Sequence, residues 1–283
     1  MPETVRHESE LGWWEMVTRE CPAPLRPYVR NYTGYSERTA DPLCRREVPG
    51  TDITLILSPG PALTLPSTSD PSRPPERHRS FVAGLHNRYA LVEHGGEQHG
   101  VEVRLTPIGA HLLFGLPMHE LTNRVVDLEA VIGRAGDELV GRMWDVTDWD
   151  ERFAVLDAAI AARLADASRP QPGVAWAWQR LHATGGRVGV GALAGELGWS
   201  HRRLIARFRE SVGMPPKILA RILRFDRVAA RLRSVEEPLL AEVAYDCGYY
   251  DQAHLNRDFR QFAGTTPGAY LARRLPDGGG VTG

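Results

Sequence analysis

The sequence predicts an α+β chain in two domains: a mainly-β N-terminal part with closing helices, and an all-α C-terminal part in which one helical pattern occurs twice. Three observations predict it. Short extended segments punctuated by turn residues fill the chain up to about Gly100. Apolar residues at three-to-four spacing follow. The last third then repeats itself, at an offset of 50 residues before a glycine turn (Gly198 to Gly248) and 51 after it (Ser200 to Asp251). A length of 283 residues suits two ordinary domains. With 42% hydrophobic and 24% charged residues, 28 Gly and 21 Pro, the composition excludes collagen-like, coiled-coil and wholly disordered chains.

Taken in order, the expected strands are 28–35, 51–57, 63–65, 80–84, 89–92 and 101–105, evenly spaced short segments that favour a small sandwich or barrel. Residues 66–79, PSTSDPSRPPERHR, are charged and rich in Pro and Ser, and are expected to form a mobile loop. Helices are expected over 109–114, 128–144 and 150–167, and in the last of these Phe153, Leu156, Ile160 and Leu164 keep helical spacing. The N-terminal domain is thus expected to cover 1–165. The linker falls at 166–173, where DASRPQPG carries two prolines and a glycine. Residues 174–274 read as helix, and 275–283 as a frayed tail.

Each copy of the repeat reads as a helix, a tight glycine turn and a second helix, over about 190–212 and 240–262. Leu193, Ala194, Gly198, Trp199, Ser200, Leu204, Phe208, Gly213 and Pro216 of the first match Val243, Ala244, Gly248, Tyr249, Asp251, Leu255, Phe259, Gly264 and Pro267 of the second. Gly198 and Gly248 stop the first helix in a left-handed conformation. Ser200 and Asp251 cap the second helix. Leu204, Phe208 and Val212, like Leu255, Phe259 and Ala263, form an inward stripe. The outward face carries His201, Arg202, Ile205, Ala206 and Arg209 in one copy and Gln252, Ala253, Asn256, Arg257 and Arg260 in the other. Gln and Asn pair in bidentate fashion with adenine and Arg with guanine, from a helix lying in the major groove of DNA. A solvated polar face accounts for one such helix; two in register, each with its turn and cap, specify helix-turn-helix geometry. Between them, 215–232 reads as one long helix with Ile218, Ile222, Phe225, Ala229 and Leu232 on a stripe, and Lys217 and Arg224 placed to reach DNA phosphates.

Charge agrees. The net charge is -1 overall, yet residues 171–276 hold 16 basic against 9 acidic side chains and the remainder 18 against 26. Only Lys217 is a lysine among the 34 basic residues, a bias that the Ala- and Gly-rich composition attributes to a GC-rich genome. The N-terminus lacks the basic start and apolar stretch of a signal peptide, and no run of about 18 apolar residues occurs, so a soluble, cytoplasmic protein with no membrane partner is expected. Cys21, Cys44 and Cys247 are widely spaced and expected to stay reduced; a redox pair of Cys21 and Cys44 is the sharper alternative.

At the residues of the second copy, VAYDCGYYDQAHLNRDFRQFAGTTPGAY, the chain resembles the C-terminal region of the AraC/XylS family of bacterial transcription regulators, over about 173–274. The resemblance implies sequence-specific binding of double-stranded DNA at promoters or operators, with Arg202, Ile205 and Ala206 of the first unit and Gln252, Ala253, Asn256 and Arg257 of the second in the major groove. Ala206 departs from the arginine usual there, and the arginine moves to Arg207. It also implies activation through RNA polymerase, and a second domain that senses a small-molecule effector or mediates homodimerisation. Residues 1–165 are similar to the N-terminal half of a poorly characterised group in the family, with a cupin-like sandwich by analogy. A metal-dependent cupin-type enzyme or a DNA-repair fusion is the alternative. The histidines His78, His86, His94, His99, His111 and His119 make no HxH or HExxH motif, and Cys21 and Cys44 make no cluster. His94 and His99, flanking Glu97 in HGGEQH, are the conceivable metal ligands, but surface histidines need no such role. Neither enzyme activity, metal nor cofactor is expected. Trp13, Trp14, Trp144 and Trp149 are expected in core or interdomain packing rather than an effector pocket.

Overall fold

The computed structural model describes residues 3–67, 72, 74–167, 171–234, 239–273 and 281–283. Eleven strands are formed among these residues: β1 (Glu3–Ser9), β2 (Gly12–Arg19), β3 (Val29–Thr39), β4 (Leu43–Glu47), β5 (Ile53–Leu57), β6 (Leu63–Leu65), β7 (Glu76–His78), β8 (Phe81–Ala83), β9 (Ala90–His94), β10 (Glu97–Leu105) and β11 (Val125–Asp127). They build a seven-stranded sheet in the order β1-β2-β3-β10-β5-β8-β11 and a four-stranded sheet in the order β4-β9-β6-β7. Every expected strand is present, β6 with the expected ends and the others with shifted ends. β1, β2, β4, β7 and β11 add to them. β1 leaves no residue fully buried, so its sequence ETVRHES carries no inward stripe to read. β7 lies inside the stretch expected as a mobile loop, of which residues 68–71 and 73 are outside the described residues.

Alternation along β10 assigns its two faces. Val101, Val103 and Leu105 are buried against the helices, and Glu102 and Arg104 turn the other way. With Tyr32, Ile53, Leu55 and Leu57 they form the main core, and Phe153 of a covering helix stacks on Tyr32 at 5.7 Å. A smaller cluster of Ile56, Leu63 and Phe81, with Tyr35, Leu65 and Val92 against it, brings the two sheets together.

The closing helices are α1 (Pro107–Phe114), α2 (Leu128–Ile132), α3 (Ala135–Trp144) and α4 (Trp149–Ala165). Thr106 and Asp148 cap α1 and α4 through their side-chain oxygens. The single helix expected over 128–144 is broken at Gly133, whose φ of 67° no helical residue adopts. Trp14 is buried, Trp149 stacks on Phe153 and lies against Gly34, and Trp144 packs under Arg152; Trp13 is exposed on β2. Cys21, Cys44 and Cys247 are free thiols.

Seven helices follow: α5 (Pro172–Ala183), α6 (Val190–Glu196), α7 (His201–Val212), α8 (Pro216–Ser234), α9 (Leu240–Asp246), α10 (Gln252–Ala263) and α11 (Pro267–Leu271). The expected linker includes residues 168–170, which lie outside the described residues. The two halves share one continuous core, in which Trp178 of α5 sits under the guanidinium of Arg30 from β3 at 5.0 Å. Residues 274–280 are likewise outside the described residues, but the expected frayed end is corrected at 281–283. Val281 is buried, its carbonyl accepts from the Arg46 amide at 2.8 Å, and the Gly283 amide donates to the Cys44 carbonyl at 3.1 Å, because β4 is the edge of its sheet and has unpaired backbone groups to offer. Among the described residues no helix is long and apolar enough to cross a membrane.

Candidate nucleic-acid interface

The two copies of the repeat fold alike down to single hydrogen bonds. After α6 the chain turns through Gly198 at φ 63°, and after α9 through Gly248 at φ 83°. The amides of Trp199 and Tyr249 reach back to the carbonyls of Ala194 and Ala244, both at 2.9 Å, closing the end of the first helix. Ser200 then accepts from the Arg203 amide at 3.2 Å, and Asp251 from the His254 amide at 2.7 Å, starting α7 and α10. Leu204, Phe208 and Val212 are fully buried, as are Leu255, Phe259 and Ala263. One residue separates the copies. Tyr250 is the insertion that changes the offset from 50 to 51, and it stands 93% exposed.

The burial of one stripe leaves the opposite one to solvent. His201, Arg202, Ile205, Ala206 and Arg209 are exposed on α7, and Gln252, Ala253, Arg257 and Arg260 on α10. Asn256 is half-buried, and its Oδ1 is enclosed without a hydrogen-bond partner. Lys217 is exposed at the start of α8. Arg224 is placed otherwise than expected. It is half-buried on α8, donates to the Gly186 carbonyl at 3.0 Å and lies 5.7 Å from the Tyr249 ring, so its guanidinium is taken up inside the helical region. On the α8 stripe Ile218 is only half-buried, and Leu219 and Val228 complete the buried side.

The arginines of the two copies are used differently. On α7, Arg203 lies over Trp199 at 4.6 Å and Arg207 pairs with Glu210 at 2.9 Å. Arg257 and Arg260 on α10, like Arg202 and Arg209 on α7, are exposed and make no side-chain hydrogen bond, ion pair or ring contact among the described residues. Arg221 of α8 braces α10 by donating to the buried Asp258 and to Gln261, each at 2.6 Å. Arg187 and Arg227 both donate to the Asp246 carbonyl at the end of α9, where cations suit the helix dipole. Sequence reading missed two aromatic side chains on the second unit, Tyr245 and Tyr250, 81% and 93% exposed. The odd residue in the repeat was the signal for Tyr250.

The N-terminal domain holds a separate polar cluster between its sheets. Arg45 of β4 pairs with the buried Glu37 of β3, Gln98 donates to Glu37 at 2.6 Å, and the buried His94 lies 3.2 Å from the Arg45 guanidinium. Burial works to raise the Glu37 carboxyl, but hydrogen bonds and charge from Arg45, with Gln98 and His94, outweigh it and hold the group below its usual range. Burial pushes the His94 imidazole down, against the pull of Glu37. Burial also raises Glu47 and Glu102.

The histidines do not converge. His94 meets Glu37 and Arg45, whereas His99 lies against Gly60; His78 bonds Asp127 at 2.7 Å, and His111 meets the Leu116 carbonyl at 2.9 Å. No group of three or more His, Cys, Asp or Glu able to hold a metal occurs among the described residues.

Residues 193–273 match the family described as a helix-turn-helix domain, and residues 19–127 match a domain of unknown function (DUF6597). No curated protein matches the chain. Among solved structures, the C-terminal domain of AraT, a response regulator from Geobacillus stearothermophilus, is 24% identical, with 40% of this chain and 93% of that one covered at a TM-score of 0.36. ToxT from Vibrio cholerae is 11% identical, with 85% and 98% covered at 0.49. The AraC-like transcriptional activator CuxR is 14% identical, with 84% and 96% covered at 0.27.

Proposed function

We propose that this chain, whose residues 193–273 match a helix-turn-helix domain, is an AraC-type DNA-binding transcription regulator that activates transcription by laying α7 and α10 into successive major grooves of one operator under control of its N-terminal domain. The observation that carries this is the matched pair of capped helices, each with one fully buried stripe and one exposed polar stripe. A helix of 19 residues such as α8 spans about 28 Å, comparable to the roughly 34 Å between successive major grooves on one DNA face. One chain then reads what a dimer of single units usually reads.

Base reading is assigned to His201, Arg202, Ile205, Ala206 and Arg209 on α7, and to Gln252, Ala253, Asn256, Arg257 and Arg260 on α10. The cluster of polar groups that Glu37, Arg45, His94 and Gln98 bring together between the sheets supports placing a small-molecule effector beside it. RNA polymerase is the partner that activation requires.

Selection of duplexes from a random-sequence pool tests the reading. The protein should enrich one bipartite motif, and Arg257→Ala should weaken binding to it by about 1 to 3 kcal/mol while leaving random DNA almost unaffected. Equal losses on both would show that Arg257 touches phosphate only.

A further inference from the structure

The N-terminal domain touches the two reading helices at equivalent points. At the end of α7, Thr122 donates through Oγ1 to the Gly213 carbonyl at 2.9 Å, and a methyl group on Gly213 would come within 3.1 Å of the Met118 carbonyl oxygen. At the end of α10, Arg46 of β4 donates to the Ala263 carbonyl at 2.8 Å. The same guanidinium lies 4.3 Å from the Tyr89 ring, and that ring sits so close to Gly264 that a methyl group there would lie 2.2 Å from its Cε1. Gly213 and Gly264 are the same position of the repeat, 51 residues apart. Both holds therefore grip carbonyls at a helix C-terminus, where donors and cations are favoured.

The holds are joined to each other. Asn123, next to Thr122, accepts through Oδ1 from the Asn87 amide at 2.9 Å, and its own amide donates to the Leu85 carbonyl at 2.9 Å, which ties it to the segment that carries Tyr89. Asn123 is also the one non-glycine residue with positive φ, 58°, among the described residues. A residue kept in that sparsely populated region needs surroundings that fix it, and here they are the bonds linking the two holds.

We propose that the N-terminal domain is a spacing gauge: Thr122 and the Arg46–Tyr89 pair hold α7 and α10 by equivalent ends, and Asn123 links the holds, so that the two helices meet DNA at one separation. Thr122, Arg46, Tyr89 and Asn123 are positioning residues that touch no base. Within the helical region α7 and α10 each pack on α8, α10 also through Arg221, across connections of three and five residues at the ends of α8; the gauge adds a second restraint that reaches both helices from outside that region. This rests on the proposed reading of DNA by both helices.

The test uses the full chain, with nitroxides attached through keto amino acids incorporated at positions 209 and 260, which spares the native thiols. Pulsed dipolar spectroscopy without DNA should give one narrow distance distribution for the parent and a broad one for Arg46→Ala combined with Thr122→Val. Asn123→Gly, which tolerates the backbone conformation and removes the Oδ1 half of the link while keeping the backbone bond to Leu85, should broaden it as well, and serves if the double variant fails to fold. On the selected duplex with its half-sites moved apart or together by two base pairs, the parent should lose about tenfold or more in affinity, and the variants markedly less. Unchanged distributions, or a spacing profile identical to the parent's, overturn the gauge. A parent that selects no duplex sinks the DNA reading instead, a result distinguishable from the first because the distance measurement needs no DNA.

Discussion

His182 of α5 shows how a single side chain registers the junction between the halves. Its ring lies 4.3 Å from that of Trp178, on which Arg30 of β3 also rests, and its Nε2 is buried without a hydrogen-bond partner. Burial first, and the Arg30 charge second, push its pKa down to about 4. The sign follows directly: the unfolded chain takes up a proton near pH 6.5 that the folded one refuses until about pH 4, so stability is present above that window and lost as pH falls through it. The loss should reach on the order of 2 kcal/mol by pH 4. Burial shifts His86 and His94 in the same direction. Urea denaturation at pH 7 and pH 5 checks this, with His182→Phe expected to flatten part of the pH dependence; an unaltered slope in that variant would assign the effect elsewhere. Neither the proton affinity nor its cause was legible in the sequence, because Arg30 and His182 are neighbours only after folding.

Among the secondary-structure elements, what was legible is what a few consecutive residues decide. The helix-turn-helix units were readable because Gly198 and Gly248, the caps Ser200 and Asp251, and the stripes Leu204, Phe208, Val212 and Leu255, Phe259, Ala263 all act within a dozen residues of one another. The same locality hides the break at Gly133, where a residue of positive φ looks like a tolerated glycine inside a helical run, and hides β1, the edge strand of the seven-stranded sheet, with nothing buried to betray it. Arg224 was assigned to DNA from its place on the helix alone, and only the fold reveals the Gly186 carbonyl it serves. The local logic also makes numbers testable. Gly248→Ala, at φ 83°, should cost about 1 kcal/mol, as should Ser200→Ala or Asp251→Ala. Shifts in the urea midpoint at constant slope measure each; a neutral Asp251→Ala would mean that α10 owes nothing to its cap.

At the scale of the molecule, the contacts between halves left no trace in the sequence. Arg46 and Ala263 are separated by 217 residues, and no periodicity connects positions that far apart. What the sequence did carry at this scale is the division of charge, basic over 171–276 and acidic elsewhere. Binding to DNA should therefore weaken steeply with salt, and Lys217→Ala should flatten the dependence by about one unit of log–log slope if it covers a phosphate. Arg224→Ala should leave the slope alone and lower thermal stability, since its guanidinium is bonded internally. A salt titration of both variants separates these roles.

The grip on the ends of α7 and α10 has one more consequence. The acidic half sits against the C-terminal ends of the reading helices, so the repelled part of the protein lies at the opposite end from their N-termini. A body charged in this way is turned by the field of a polyanion before it touches it. Most of its encounters with a duplex would then begin with the helix starts in front, and the search for the correct face is shortened before any base is read.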